Sequence, residues 1–254
     1  MLDLDGTLYS GDAAVPGAVA AIARLRTAGI PFRCVTNTTS RSRNMIVARL
    51  AGYGFDITAS EIFTATLAGA DAARARGCRT IAPFLPAAAL ADLDGFVLMG
   101  GTSGNPAIER PDAVLIGDLG EAWSYAFMQE AFTWLLDGAE FVACSRDRYW
   151  LRGDRMALDC GAFVAGLEYA AGREALVAGK PNALFFSGAL DSLGDMPAAH
   201  VAMVGDDLWS DVAGAQRAGL QGWAVRTGKF RLNSLVQSGI VPDRILQSVA
   251  DLTP

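Results

Sequence analysis

The chain has 254 residues, of which 52% are hydrophobic and 19% charged, so it is long enough to bury a sizeable core and too apolar for a disordered tail. Its net charge of −6, without a basic run, argues against a nucleic-acid backbone as partner. The apolar runs fall well short of the roughly 20 residues that span a bilayer, and two apolar residues followed by acids do not read as a signal peptide. Four cysteines without C-x-x-C spacing suit a reduced, cytoplasmic chain. With His200 as the single histidine, a Ser-His-Asp relay or a multi-histidine zinc site has almost nothing to work with. Chemistry must rest on carboxylates, lysine and hydroxyls, with or without a hard cation.

Short apolar strands alternate with amphipathic helices, the pattern of an α/β fold with a parallel sheet. Strands are expected at 2–4, 32–35 and 62–63, with a helix from Pro16 to Gly29, one capped by Ser40, and an Ala-rich one over 66–76. Only Met1 and Leu2 precede Asp3, so the first strand is expected to be short. Further strands are expected at 80–82, 95–99, 113–116 and 140–144. Tyr125, Met128, Phe132 and Leu135 share one helical stripe. The last third repeats the earlier style, with strands at 175–178, 200–204 and 222–225, a helical face of Phe186, Leu190 and Leu193, and helix and loop from Asn233. Boundaries near 77 and 174 would separate 1–77 and 174–254 from a middle domain, 78–173.

Four strand ends carry chemistry. Asp3-Leu4-Asp5-Gly6-Thr7 places two carboxylates two residues apart, so strand alternation leans Asp3 and Asp5 to one side. They repel unless a cation sits between them or one stays protonated. An acidic turn after an edge strand would give the same pattern. Thr36 and Asn37, in Val35-Thr36-Asn37-Thr38-Thr39, offer hydroxyl and N–H groups to an oxyanion, or simply form an N-cap cluster. Lys180, in Gly179-Lys180-Pro181, can place one positive charge, and the spacing is not that of a phosphate-binding Walker loop. Asp206 and Asp207, followed by Asp211, are poor neighbours unless they bind a hard cation through oxygen, although a helix N-terminus also favours acids.

In this order and context the four motifs resemble the haloacid dehalogenase-like (HAD) hydrolase superfamily, in its NagD-like class with a large α/β cap. Val225-Arg226-Thr227-Gly228-Lys229 and Leu167-Glu168-Tyr169 extend the resemblance to the phospholysine/phosphohistidine inorganic pyrophosphate phosphatase subgroup. The resemblance implies a Rossmann-like parallel-sheet core with an inserted α/β cap. It also implies a Mg²⁺-dependent phosphatase of small metabolites, acting through an aspartyl-phosphate, with phosphoramides or pyrophosphate as further substrates. Asp3 would be the nucleophile and Asp5 the general acid–base. The metal would bind the Asp3 carboxylate, the Asp5 carbonyl and Asp206, supported by Asp207 or Asp211. Thr36, Asn37 and Lys180 would hold the phosphoryl group. Substrate choice would fall to the cap, where Arg148, Tyr149 and Trp150, with Arg152, either meet the leaving group or are simply cap core and solvated surface, and a cap-mediated homodimer is implied. Two other readings compete: a phosphate-binding regulatory protein with little turnover, and a phosphoryl-transfer receiver module. The cap-sized insertion and the second acid at position 5 count against the receiver.

Overall fold

The computed structural model describes residues 1–107, 109–152, 155–194 and 196–253. The side chains of Leu151 and Arg152 lie outside the description, and with them the expectation that Arg152 helps to select substrates. Among the described residues no helix is long and apolar enough to cross a membrane. The chain divides into two compact units, one of residues 1–36, 43–63 and 180–254, the other of residues 37–42 and 64–179.

The first unit is built on a six-stranded sheet. Its spatial order is Arg244–Leu246, Gln221–Val225, Ala202–Gly205, Leu2–Asp3, Cys34–Thr36 and Ile62–Thr64. Leu2–Asp3 is only two residues long, yet it pairs in parallel on both sides, Leu2 with Val204 and Cys34, Asp3 with Val35. Later strands are added outward from this central strand on both sides, Cys34–Thr36 then Ile62–Thr64 on one and Ala202–Gly205, Gln221–Val225 then Arg244–Leu246 on the other, which makes the carboxyl ends here a topological switch point where α/β sheets bind ligands. Asp3, Thr36 and Asp206 all stand at or just beyond those ends. The core beneath joins Leu2, Leu4, Leu8, Ile22, Leu50 and Val204, all nearly inaccessible.

The second unit carries a five-stranded sheet in the order Leu176–Val177, Glu140–Ala143, Ala113–Ile116, Thr80–Phe84 and Val97–Leu98, every neighbouring pair parallel. Ala113–Ile116 is buried at all four positions, as a strand covered on both faces requires. Phe84 anchors this unit's core: it stacks on Trp123 at 5.8 Å and meets Phe127 edge-on at 5.9 Å. The helix Ala65–Ala75 belongs here as well, because Gly69 brings its backbone against Leu115 and Cys144. The division therefore runs before this helix rather than after it at 77, and at 179/180 rather than near 174.

Several local expectations are corrected. The first helix begins at Ala18, not Pro16, because Gly17 at φ 80° turns the chain before it. The second begins at Arg43, three residues past Ser40. Tyr125 is 82% exposed, so the stripe it opens is buried only toward Leu135. The helix Ala183–Asp191 ends before Leu193 and buries Phe185 as well as Phe186. His200 ends a short 3₁₀ turn, and the strand starts at Ala202. Two antiparallel hairpins add to the expected elements, Tyr9–Ser10 with Ala13–Ala14 and Tyr149–Arg152 with Arg155–Leu158.

Truncating Phe84, which is fully buried, removes the centre of the aromatic cluster. Phe84→Ala is expected to cost about 3–5 kcal/mol by chemical denaturation. A loss below about 1 kcal/mol would mean the second unit does not fold around that ring.

Candidate active site

The site grows from the end of Leu2–Asp3. Leu4 points into the core at 1% exposure, and its carbonyl accepts the N–H groups of Thr7, Leu8 and Tyr9, which coils the chain into a tight turn. Gly6 takes φ 81° in that turn, a region costly for a residue with a Cβ. The turn separates the two acids of the motif: Asp3 is 8% exposed, whereas Asp5 is exposed. Thr7 is fully buried, and its Oγ1 has no hydrogen-bond partner among the described residues.

Lys180 stands at 5% exposure and is the only buried lysine or arginine among the described residues. Its Nζ donates to Asp3 Oδ1 at 2.5 Å and to Asp211 Oδ1 at 2.7 Å. Burial alone would lower its pKa, but the charges of Asp211 and Asp3 outweigh that and raise it above the ordinary lysine range. Lys180 is thus a fixed cation.

Asp206 completes the group. Ligand atoms of Asp3, Asp206 and Asp211 lie within 4.8 Å of one another, and all three residues are buried. Three carboxylates face one ammonium, and the imbalance falls on the acids. Burial, with the charges of Asp3 and Asp211, pushes Asp206 from 3.8 up to about 7. Burial, with Asp3, pushes Asp211 up to about 6 against the pull of Lys180. Asp206 Oδ2 accepts the Lys229 N–H at 2.5 Å, while Oδ1 accepts no hydrogen bond among the described residues.

The spacing of Gly205-Asp206-Asp207 and Asp211 has a local cause. Residues Leu208–Ala213 form a wide π-helical turn, with Val212 N–H reaching back to Asp207 O at 3.3 Å. Such turns often accompany functional sites. Gly205 lacks the Cβ that would lie 2.1 Å from Asp211 Oδ2, so the turn can press Asp211 onto the strand end. Asp207 acts on the turn itself, which its Oδ1 caps by accepting Trp209 and Ser210 N–H at 3.0 Å each. Burial opposes its charge, but the Ser210 N–H, the Lys229 charge and the Trp209 N–H hold it below the usual carboxylate range. A cavity of about 200 Å³ beside Asp206 is lined by Asp207, Trp209, Lys229 and Ser234 among others.

Thr36, 8% exposed, ends the strand next to Leu2–Asp3. Asn37 opens the second unit, where its Nδ2 donates to Asp147 Oδ2 at 3.1 Å. Arg148, Tyr149 and Trp150 lie at the start of the 149–158 hairpin, with the Arg148 guanidinium 5.9 Å from the Tyr149 ring centroid. Tyr149 is 54% and Trp150 42% exposed. Asp3, Lys180, Asp206 and Asp211 are thus brought together, and Asp5 lies one turn away with its carboxylate outside the buried group. The contact of Lys229 N–H with Asp206 is invisible to sequence reasoning, because a main-chain donor leaves no mark in residue type.

Two family descriptions match this chain, haloacid dehalogenase-like hydrolase over residues 1–96 and HAD-hydrolase-like over residues 177–252. It is 41% identical over 231 residues to the bovine haloacid dehalogenase-like hydrolase domain-containing protein 2, covering 91% of this chain and 85% of that one. The chain belongs to the haloacid dehalogenase-like hydrolase family. It is also 34% identical over 259 residues to the human phospholysine phosphohistidine inorganic pyrophosphate phosphatase, covering 99% and 91% of the two chains. Among solved structures it is similar to NagD of Escherichia coli, with TM-score 0.87, 27% identity and coverage of 99% and 96%. The glycerol phosphate phosphatase of Mycobacterium tuberculosis in complex with magnesium superposes with TM-score 0.85 at 28% identity, over 98% of this chain and 74% of that one. These relatives place the chain in the NagD-like class, near the phospholysine/phosphohistidine pyrophosphate phosphatase subgroup.

The raised Asp206 carboxyl generates a test. Its proton is retained in the fold up to about pH 7, against 3.8 in the free side chain. Between those values the folded state binds more protons than the unfolded one, so stability falls as pH rises through the window. Asp206→Asn removes this penalty and still offers an oxygen to Lys229 N–H. In chelator, the melting temperature gained by Asp206→Asn should be small near pH 4.5 and largest near pH 8. An equal gain at both pH values would contradict the charge crowding.

Proposed function

We propose that this chain is a divalent-cation-dependent phosphatase that cleaves small phosphate monoesters through an aspartyl-phosphate on Asp3. The enzyme is a phosphatase of its family; the metal, the intermediate and the substrate class are the reading that the site supports best. One observation carries it: Asp3, at the carboxyl end of the central strand, is held through Oδ1 by a buried lysine, which orients the carboxylate for attack on phosphorus.

The donor set fits a hard cation. Three buried carboxylates with one ammonium leave uncompensated negative charge, and oxygen ligands suit Mg²⁺. Asp3 and Asp206, with the Asp5 main-chain carbonyl, would hold it. When bound, the cation would screen the repulsion between the acids and the phosphoryl oxygens.

The remaining work belongs to the chain. Lys180 fixes the Asp3 carboxylate and offsets charge on the phosphoryl group. Asp211, at 1% exposure, anchors Lys180 through a second hydrogen bond. Thr36 offers its hydroxyl to a phosphoryl oxygen. Asp5, exposed at the turn, protonates the leaving oxygen and then takes a proton from the water that hydrolyses the aspartyl-phosphate. The alkoxide oxygen of an alkyl phosphate and the amine nitrogen of a phosphoramide are strongly basic leaving atoms that need this proton.

The test is a phosphate-release assay across such a panel, with and without Mg²⁺. Asp3→Asn should keep the fold and lower kcat on the order of 10³-fold or more. Asp5→Ala should cost about 10²–10⁴-fold on alkyl phosphates and far less on nitrophenyl phosphate, whose phenolate leaves unaided. Full turnover after exhaustive chelation, or Asp3→Asn retaining a tenth of wild-type activity, would overturn the reading.

A further inference from the structure

The loop Thr227-Gly228-Lys229 supplies no residue with a catalytic role above, and it is not core: Thr227 is half-buried and Lys229 exposed. Yet three of its atoms converge on the site. Thr227 Oγ1 donates to Gly6 O at 2.5 Å, across 221 residues of sequence. Lys229 N–H donates to Asp206 Oδ2 at 2.5 Å. Gly228 Cα packs on the same carboxylate: a Cβ there would lie 1.9 Å from Asp206 Oδ2 and 2.6 Å from Gly6 Cα. A Cβ on Gly6 would likewise lie 2.1 Å from Asp206 Oδ2. The Asp206 carboxylate is therefore wedged between two glycines from distant loops, both at positive φ, 81° and 57°.

The loop itself is stiff. Arg231 Nη1 donates to the carbonyls of Gly228 at 2.8 Å and Phe230 at 2.7 Å, and Phe230 is buried at 7% exposure against Leu208, Val212 and Ala224. A carboxylate with one oxygen tied and its flanks filled cannot rotate. The carboxylate is thereby held in place within the acid group, where one ligand atom each of Asp206, Asp3 and Asp211 lies within 4.8 Å of the others.

We infer that Thr227-Gly228-Lys229 is a positioning clamp: it locks the Asp206 carboxylate against the Asp3–Gly6 turn and so sets the chain's affinity for a divalent cation. The inference rests on Asp206 being a cation ligand, as proposed above. Thr227 and Gly228 touch neither substrate nor cation. They act by removing the rotational freedom that Asp206 would otherwise lose on binding.

Mg²⁺ affinity, measured by titration calorimetry, separates this role from a structural one when melting in chelator is recorded beside it. Thr227→Val keeps the shape and loses only the bond to Gly6 O; it should weaken Mg²⁺ binding about fivefold, the worth of one ordinary hydrogen bond. Thr227→Ser restores the donor and should bind Mg²⁺ as the wild type does. Gly228→Ala, which drives a methyl into the Asp206 carboxylate, should weaken binding further than Thr227→Val. Wild-type Mg²⁺ affinity in folded Thr227→Val would overturn the inference, and so would a lower melting temperature in chelator with the affinity unchanged, which marks a structural bond. Asp206→Asn serves as the reference. If it loses Mg²⁺ while both Thr227→Val and Gly228→Ala retain it, the clamp is wrong and the ligand assignment stands. If Asp206→Asn itself binds Mg²⁺ as the wild type does, the ligand assignment falls and takes the clamp with it.

Discussion

A single buried ammonium faces three buried carboxylates, and much of the first unit is arranged around that imbalance. Lys180 can bridge Asp3 and Asp211, but it cannot also neutralise Asp206. Isolated charges of like sign in a low-dielectric interior repel strongly, so the third acid must take up a proton or a cation. The main-chain N–H of Lys229 eases the charge but does not remove it. The group persists because surrounding packing over-determines it: glycines at 6, 205 and 228 leave the space, and the π-helical turn presses Asp211 inward.

The sheet supplies the address. Leu2–Asp3 lies between Cys34–Thr36 and Ala202–Gly205, so residues remote in sequence reach one end of one sheet. Two residues suffice for this strand because both edges are paired. Leu2 N–H donates to Arg33 O at 2.8 Å, and Met1 O accepts Val204 N–H at 2.9 Å. A short strand deeply embedded in a parallel sheet can thus hold its terminal carboxylate as firmly as a longer one.

Much of this is legible in the residues, and the exceptions have physical causes. Acid pairs after apolar runs mark Asp3 and Asp206, because such neighbours need an explanation wherever they stand. Asp211 reads only as support, since nothing in a straight helix predicts that a wide turn folds it beside Lys180 at 2.7 Å. Strand alternation puts Asp5 beside Asp3, but the strand stops at Asp3 and the turn at Gly6 carries Asp5 outward. Tyr125 fits a helical period yet is exposed: periodicity finds a face and does not say where burial begins. Hairpins of two to four residues per strand carry too few side chains for a period to register.

A proton and a divalent cation are alternative answers to the same excess of negative charge, so they must compete at Asp206. Calorimetric titration with Mg²⁺ near pH 6.5, repeated in buffers of different ionisation enthalpy, counts the protons released on binding. The account predicts proton release that fades as the pH rises above about 7, where Asp206 is already ionised. Tight Mg²⁺ binding without proton release at pH 6.5 would contradict it.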